Sequence, residues 1–229
     1  MSDKQGIDFS TVLASSVHDM KNSVAMLLVN VEGILDKYQP KGKEESQHFK
    51  SLHYEASRIN GELIQLLTLY RMDEHLLPVQ VDEYYLVDML EEQIARNQLL
   101  LDTSDVTLEL DLDTGFAWYF DVDLLAGVVH NILLNCIRYT KSKVRISAKE
   151  LDGYLAISIA DDGNGYPEKM LEQPDLMASE AQLSAGQTHL GLFFAEQIAS
   201  LHKQGERQGR IELKNNGILG GGELTIYLP

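Results

Sequence analysis

The chain has one cysteine, Cys136, among 229 residues, which excludes an internal disulfide and fits a reducing compartment. Cys136 sits inside an apolar run, so it is expected to be a small core residue and not a reactive thiol. Basic residues are scarce: 19 Lys and Arg stand against 35 Asp and Glu, a net charge of −16. Nucleic-acid binding draws on a basic surface, so no nucleic-acid partner is expected. The acidic excess reads as a solvated surface that keeps the chain soluble. No apolar run reaches the ~18 residues that a membrane span requires. The first ten residues, MSDKQGIDFS, lack the apolar stretch of a secretory signal. A cytoplasmic location is expected, with no room for a sensor segment ahead of His18. Internal repeats are absent as well. What remains is an apolar content of 44%, enough for a real core, in a length that suits one or two domains.

The first 75 or so residues carry a heptad pattern. Leu13, Val17, Met20, Val24, Leu27, Val31, Ile34 and Tyr38 alternate spacings of four and three without a break. Phe49, Leu52, Ala56, Ile59, Leu63, Leu66 and Tyr70 repeat it after a polar turn at 39–46 that holds Pro40 and Gly42. Two such helices joined by a short loop form an antiparallel hairpin. A lone hairpin buries one stripe of each helix, so pairing into a dimeric four-helix bundle is expected. Residues 72–78 read as a linker, with Pro78 stopping the helix. The expected domains are 1–76 and 77–229.

Beyond Pro78 the pattern turns to mixed helix and strand. Residues 87–101 read as a helix, and 106–112 and 116–120 as strands. Asp121 is placed to cap a helix running through Asn131 and Asn135 to Tyr139. Strands at 144–151 and 154–160 flank Asp152-Gly153, a strong hairpin turn signal. Residues 163–188 read as a polar, mobile loop and 190–202 as a helix. Strands at 210–213 and 223–228 close around Gly220-Gly221-Gly222. The fold class is two-domain α+β: a helical hairpin followed by an α/β sandwich, one sheet covered by helices.

Several motifs carry chemistry. Ser16-Val17-His18-Asp19-Met20-Lys21-Asn22 lies on the first helix and offers a nucleophilic imidazole with a carboxylate beside it. A neutral imidazole is able to attack a phosphoryl group, with Asp19 fixing the tautomer through the other nitrogen. Asn131 and Asn135, within NILLNCIRYT, are four apart and share a helix face. Asp161-Asp162-Gly163-Asn164-Gly165 follows an apolar strand, and its glycines let the backbone approach a ligand without a Cβ. Thr188-His189-Leu190-Gly191-Leu192 opens a helix whose N-terminal amides suit a phosphate. Phe194, Ile198 and Leu201 farther along that helix, and Trp118, read as core.

Together these motifs resemble the catalytic portion of two-component sensor histidine kinases. The dimerisation and phosphoacceptor hairpin would span about 8–75. The ATP-binding domain, of the type shared with gyrase, Hsp90 and MutL (the Bergerat or GHKL fold), would span about 80–229. The resemblance implies that His18 is the phosphoacceptor, that Asp19 serves autophosphorylation, and that Asn22 orients water for dephosphorylating the partner. It implies ATP and Mg²⁺ as ligands: Asn135 as the metal ligand with Asn131 assisting, Arg138 on phosphate, and Tyr139 lining the pocket. Asp161 would accept from the adenine amino group beside Gly163 and Gly165. Thr188, Leu190, Gly191 and Leu192 would form the second glycine box, in which Gln187 and His189 replace two of the family's glycines. His189 would donate to phosphate or serve as a cap or lid-packing residue. No phenylalanine-bearing lid motif is evident. The implied partners are a second copy of the chain, the receiver domain of a response regulator, and a separate sensor protein. The rival reading is a non-enzymatic phosphotransfer adaptor with a degenerate ATP domain, which the altered glycine box favours. A water-directed ATPase of the Hsp90 type would need a Glu where Asn131 stands.

Overall fold

The computed structural model describes residues 9–37, 42–172 and 190–229. The chain divides into two compact units, Met1–Leu77 and Pro78–Pro229. Among the described residues no helix is long and apolar enough to cross a membrane.

The first unit is a hairpin of α1 (Phe9–Lys37) and α2 (Lys43–Asp73). Its heptad seam separates into two columns. Val17 and Val31 are only 6% and 5% exposed, and Val24 between them is half-buried. On α2 the matching column is Phe49, Ala56, Leu63 and Tyr70, all buried or half-buried. The alternate column stays open: Leu13, Met20, Leu27 and Ile34 are 45–55% exposed, and Leu52, Ile59 and Leu66 are 41–47% exposed. Each helix therefore turns one apolar column to its partner in the hairpin and leaves the other uncovered. Tyr38, and Pro40 in the expected turn, lie outside the described residues. The buried His53 reaches from α2 to α1 through Nε2, 3.2 Å from Glu32 Oε1.

Helix α2 takes up Met72 and Asp73, the first two residues of the expected linker. It then closes with two bonds: Leu76 N–H donates to Arg71 O and His75 N–H to Met72 O. His75 at φ 58 occupies the left-handed position usually given to glycine in this motif.

The second unit is a two-layer sandwich. Its elements are β1 (Asp82–Tyr85), α3 (Leu86–Thr103), β2 (Thr107–Asp111), β3 (Ala117–Phe120), α4 (Val122–Tyr139), β4 (Lys143–Leu151) and β5 (Tyr154–Asp161). There follow α5 (Glu168–Glu172), α6 (Leu190–Leu201), the two-residue strands β6 (Lys203–Gln204) and β7 (Arg207–Gln208), β8 (Arg210–Asn215) and β9 (Gly222–Leu228). The main sheet has the order β2-β4-β5-β9-β8, parallel only between β2 and β4. Ile146 pairs with Ile159, Ile159 with Leu224, and Ile157 with Ile226, so one apolar face runs across the central strands. Helices α3, α4 and α6 cover that face, and Phe194, Ala195 and Ile198 of α6 are buried against it. The β4–β5 turn has φ 53 at Asp152 and φ 75 at Gly153, the pair of left-handed residues that a type I′ hairpin requires.

Three features depart from the sequence expectation. A second, two-stranded sheet pairs β1 with β3, so unit 2 is not built on one sheet alone. Strand β1 is exposed at all four positions, and no burial alternation announces it. The expected loop at 163–188 contains the short helix α5, and residues 173–188 of it lie outside the described residues. The β6–β7 pair after α6 has strands too short to leave a period.

Candidate functional site

Helix α4 carries the two asparagines, and its N-terminus is fixed from three sides. The Asp121 side chain caps it, with Oδ1 accepting from Leu124 N–H at 3.0 Å. Oδ2 accepts from Gln80 N–H at 2.7 Å, which ties the incoming chain to the helix. The Asp121 N–H donates to Nε2 of the buried His202 at 3.0 Å, and His202 Nδ1–H donates to Ile198 O. Burial holds the His202 pKa below its ordinary value and keeps the ring neutral, as its acceptor role requires.

Asn131 and Asn135 occupy different environments on α4. Asn135 is exposed, whereas Asn131 is 8% exposed and its Nδ2 has no hydrogen-bond partner. A buried amide without a partner costs about 1–3 kcal/mol, so this donor is set to gain from an anionic ligand. Gly191, in the first turn of α6, lies against it: a Cβ on Gly191 would sit 2.3 Å from Asn131 Nδ2. The fold thus brings the first asparagine and the glycine of the second glycine box together. Leu192 is buried, leaving only its backbone for a ligand, and Leu190 is half-buried. Thr188, Gln187 and His189 lie outside the described residues. Arg138 and Tyr139 are exposed at the C-terminal end of α4, the guanidinium 5.3 Å from the Tyr139 ring centre.

At the end of β5, Asp161 is oriented by backbone donors. Its Oδ1 accepts from Gly163 N–H at 2.7 Å and from Gly222 N–H at 3.3 Å, and its carbonyl accepts from Gly221 N–H at 3.1 Å. Oδ2 has no partner among the described residues and remains free to accept from a ligand. A Cβ on Gly163 would meet Tyr139 O at 2.4 Å, and one on Gly221 would meet Asp161 O at 2.5 Å. Only glycines allow these three chain segments to approach so closely.

Two locks hold the cradle. Asp162 accepts from the Lys141 and Ser142 N–H groups and from the Thr140 and Ser142 hydroxyls. Burial works against its charge, but these bonds outweigh it and hold the carboxyl well below the usual carboxylate range. Asn215 clasps Tyr166 on both sides of the backbone, accepting from its N–H at 2.6 Å and donating to its carbonyl at 2.8 Å. Gly165, at φ 76, packs on the Asn215 amide. The sequence reading did not single out Asp162, Asn215 or the contact of Gly221 and Gly222 with Asp161. The glycine triplet was its one visible trace, read only as a turn. Cys136 is a buried core thiol, pushed up in pKa by burial and then by the nearby Asp161 charge.

The donor set fits a nucleotide with a divalent cation. The free Asp161 Oδ2 suits an exocyclic amine, and the Asn131 amide and the first turn of α6 suit phosphate oxygens. No group of three His, Cys, Asp or Glu that would hold a metal by itself occurs among the described residues. A cation here would rest on the Asn135 amide together with phosphate oxygens and water.

In the other unit, His18 lies on α1 with its side chain 52% exposed. Its Nδ1 is 3.5 Å from Asp19 Oδ1 and 3.4 Å from Asn22 Nδ2. These neighbours require opposite tautomers. Asp19 accepts, which puts the proton on Nδ1 and leaves Nε2 with a lone pair. Asn22 donates, which puts the proton on Nε2.

Residues 120–229 match the family described as histidine kinase-, DNA gyrase B- and HSP90-like ATPase. The chain is 29% identical over 194 residues to the sensor histidine kinase CssS of Bacillus subtilis, covering 84% of this chain and 42% of that protein. It is 27% identical to the sensor histidine kinase GraS of Staphylococcus haemolyticus, covering 69% of this chain and 44% of that one. The chain thus spans about two fifths of the length of these relatives. In fold it is similar to the Acinetobacter baumannii histidine kinase AdeS, with a TM-score of 0.59 at 22% identity, covering 92% of this chain and 96% of that one. It is also similar to full-length ShkA, solved with AMPPNP, with a TM-score of 0.60 at 16% identity over 95% of this chain and 45% of that one.

Proposed function

We propose that this chain, a member of the two-component sensor histidine kinases with a histidine kinase-, DNA gyrase B- and HSP90-like ATP-binding domain, phosphorylates its own His18 from ATP and passes the phosphoryl group to a response regulator. The observation that carries this reading is the setting of His18: half-exposed, Nδ1 flanked by Asp19, and Nε2 without a partner among the described residues. In the tautomer that Asp19 favours, Nε2 attacks the γ-phosphorus. A nitrogen–phosphorus bond forms, the bond to the β,γ-bridging oxygen breaks, and ADP leaves. The Nδ1 proton moves toward Asp19 and then to water.

In the nucleotide domain, Asp161 Oδ2 accepts from the adenine amino group, and Arg138 and Asn131 take phosphate oxygens. Tyr139 borders the pocket, and the Leu190–Leu192 turn supplies backbone N–H groups, with Thr188 as a further proposed ligand from outside the described residues. Mg²⁺, held through Asn135, would supply charge neutralisation between the phosphates. Asn22 would orient water for the reverse task, dephosphorylating the regulator. Residues 1–76 would be the phosphoacceptor and dimerisation domain and 77–229 the catalytic one.

The uncovered column of the hairpin supports a homodimer. Leu13, Met20, Leu27, Ile34, Leu52, Ile59 and Leu66 form a continuous apolar seam that a second hairpin would close into a four-helix bundle. Phosphoryl transfer then proceeds to a receiver-domain aspartate on a separate protein.

A phosphotransfer adaptor without kinase activity is the second reading, favoured by Gln187 and His189 in the glycine box. Calorimetric titration with a non-hydrolysable ATP analogue and Mg²⁺ separates the two. Binding by the wild type that is lost in Asp161→Ala supports the kinase. A wild type that binds no nucleotide establishes the adaptor in its place.

A further inference from the structure

Charge is distributed very unevenly along the chain. Residues 78–137 hold twelve Asp and Glu and a single base, Arg96, for a net −11 out of the chain's −16. Arg96 is already paired with Glu92. The exposed apolar surface of the second unit gathers in the same stretch. Of eight large apolar side chains exposed among its described residues, five are Val79, Val81, Tyr84, Tyr85 and Tyr119.

The β1–β3 register explains why these side chains are bare. Tyr84 lies on the face of Phe120, their rings 5.6 Å apart, with Phe120 fully buried and Tyr84 still 36% exposed. Glu83 pairs with Tyr119, and Tyr85 with Ala117, on the opposite face. Val79 and Val81, in the segment just ahead of β1, are exposed as well. The ribbon therefore turns Tyr85 and Tyr119 outward, at 55% and 57% exposure. Asp82 and Glu83 of the ribbon, and Asp88, Asp113 and Asp123 within four residues of its strands, are exposed, and none makes an ion pair among the described residues.

An aromatic row inside unpaired carboxylates matches one chemistry. A second copy would bring like charge, as would nucleic acid or an anionic bilayer. We propose that the outer face of the β1–β3 ribbon docks a protein segment presenting apolar side chains flanked by Lys or Arg. The two tyrosines are the anchors, offering large apolar area at little entropy cost. The carboxylates steer the encounter and set the register. The surface stands apart from the phosphotransfer reading and holds whether or not His18 is phosphorylated.

The test uses the full chain and its only tryptophan, Trp118, which lies in β3 with its ring stacked 6.0 Å from Phe116. The probe is a synthetic twelve-residue peptide of alternating Leu and Lys, with a Ser–Lys peptide of equal charge as control. The Leu–Lys peptide should shift Trp118 emission saturably, with affinity falling as salt rises. The Tyr85→Ser/Tyr119→Ser variant should bind it about tenfold or more weakly while keeping wild-type circular dichroism. Asp82→Asn/Glu83→Gln, which leaves the tyrosines in place, should slow association. Equal binding of both peptides, undiminished binding by the tyrosine variant, or no binding by the wild type would overturn the proposal. A change in nucleotide affinity or self-phosphorylation in the tyrosine variant without peptide would also overturn it, because the ribbon would then be covered by the chain's own hairpin.

Discussion

Gly191 and Asn131 meet so closely that any side chain at the glycine collides with the amide, an added Cβ falling 2.3 Å from Nδ2. The contact joins the second glycine box to α4 and holds the one buried amide nitrogen in that helix left without a partner. Gly191→Ala should therefore displace Asn131 and weaken ATP binding about tenfold or more, within the ~1–3 kcal/mol typical of overpacking. The check is a double-mutant cycle by calorimetry. In an Asn131→Ala background, Gly191→Ala should cost much less, because the atoms it strikes are gone. Additive losses would show that the contact does not couple the two positions.

Asp161 divides its work between its two oxygens. Oδ1 holds the Gly163 and Gly222 amides, and Oδ2 is left for the base. Asp161→Asn with its amide oxygen at the Oδ1 position keeps the loop and presents an NH₂ where the adenine amino group needs an acceptor. Thermal stability should change little, whereas ATP affinity should fall by about 1.5–3 kcal/mol, roughly ten- to a hundredfold. Differential scanning fluorimetry and analogue titration on one preparation read both quantities.

The open heptad column makes a prediction about assembly. Leu27→Asp and Ile59→Asp place charges where a second hairpin would seat, on side chains 45% and 41% exposed in the single chain. Light scattering on a sizing column should show wild-type dimers and variant monomers, with nucleotide affinity of the second unit unchanged. Val31→Asp, on the covered column, should instead unfold the hairpin, since a buried unpaired charge costs several kcal/mol.

Acid should loosen the second unit first through its histidines. Burial lowers the pKa of His202, and burial with the Arg96 charge lowers that of His130, so both are neutral in the folded chain. The unfolded chain takes up these protons near pH ~6.5. Their contribution is complete above that pH and is lost as the pH falls from there toward the lowered folded values. His202→Gln should make the fall in melting temperature between pH 7.5 and 5.5 shallower. An unchanged slope would remove His202 from the account. Asp162 acts in a lower window: its depressed pKa gives stability that is complete above the ordinary carboxylate value and lost as the pH drops through the folded one.

Much of this was legible from residue order, for identifiable reasons. The seam from Leu13 to Tyr70 shows because a 3.5-residue repeat must persist to keep helices in register. The Asp152-Gly153 turn shows because two successive left-handed residues admit few side chains. Asp121 shows as a cap because its carboxylate acts three residues away, on Leu124. What stayed hidden depends on long-range pairing. Gly222 reaches Asp161 only because β9 lies beside β5, and Asn215 finds Tyr166 across 49 residues. Periodicity also cannot tell which heptad column a hairpin covers, since Val17 and Met20 are equally apolar in sequence and opposite in exposure.

The most direct test of the central claim is incubation with γ-labelled ATP and Mg²⁺, wild type beside His18→Ala, with the protein scored for acid-labile, alkali-stable label. Label is expected on the wild type and none on His18→Ala, with nucleotide affinity the same in both. Label that persists in His18→Ala, or a wild type that binds ATP and acquires no label in the presence or absence of a receiver domain, would contradict it.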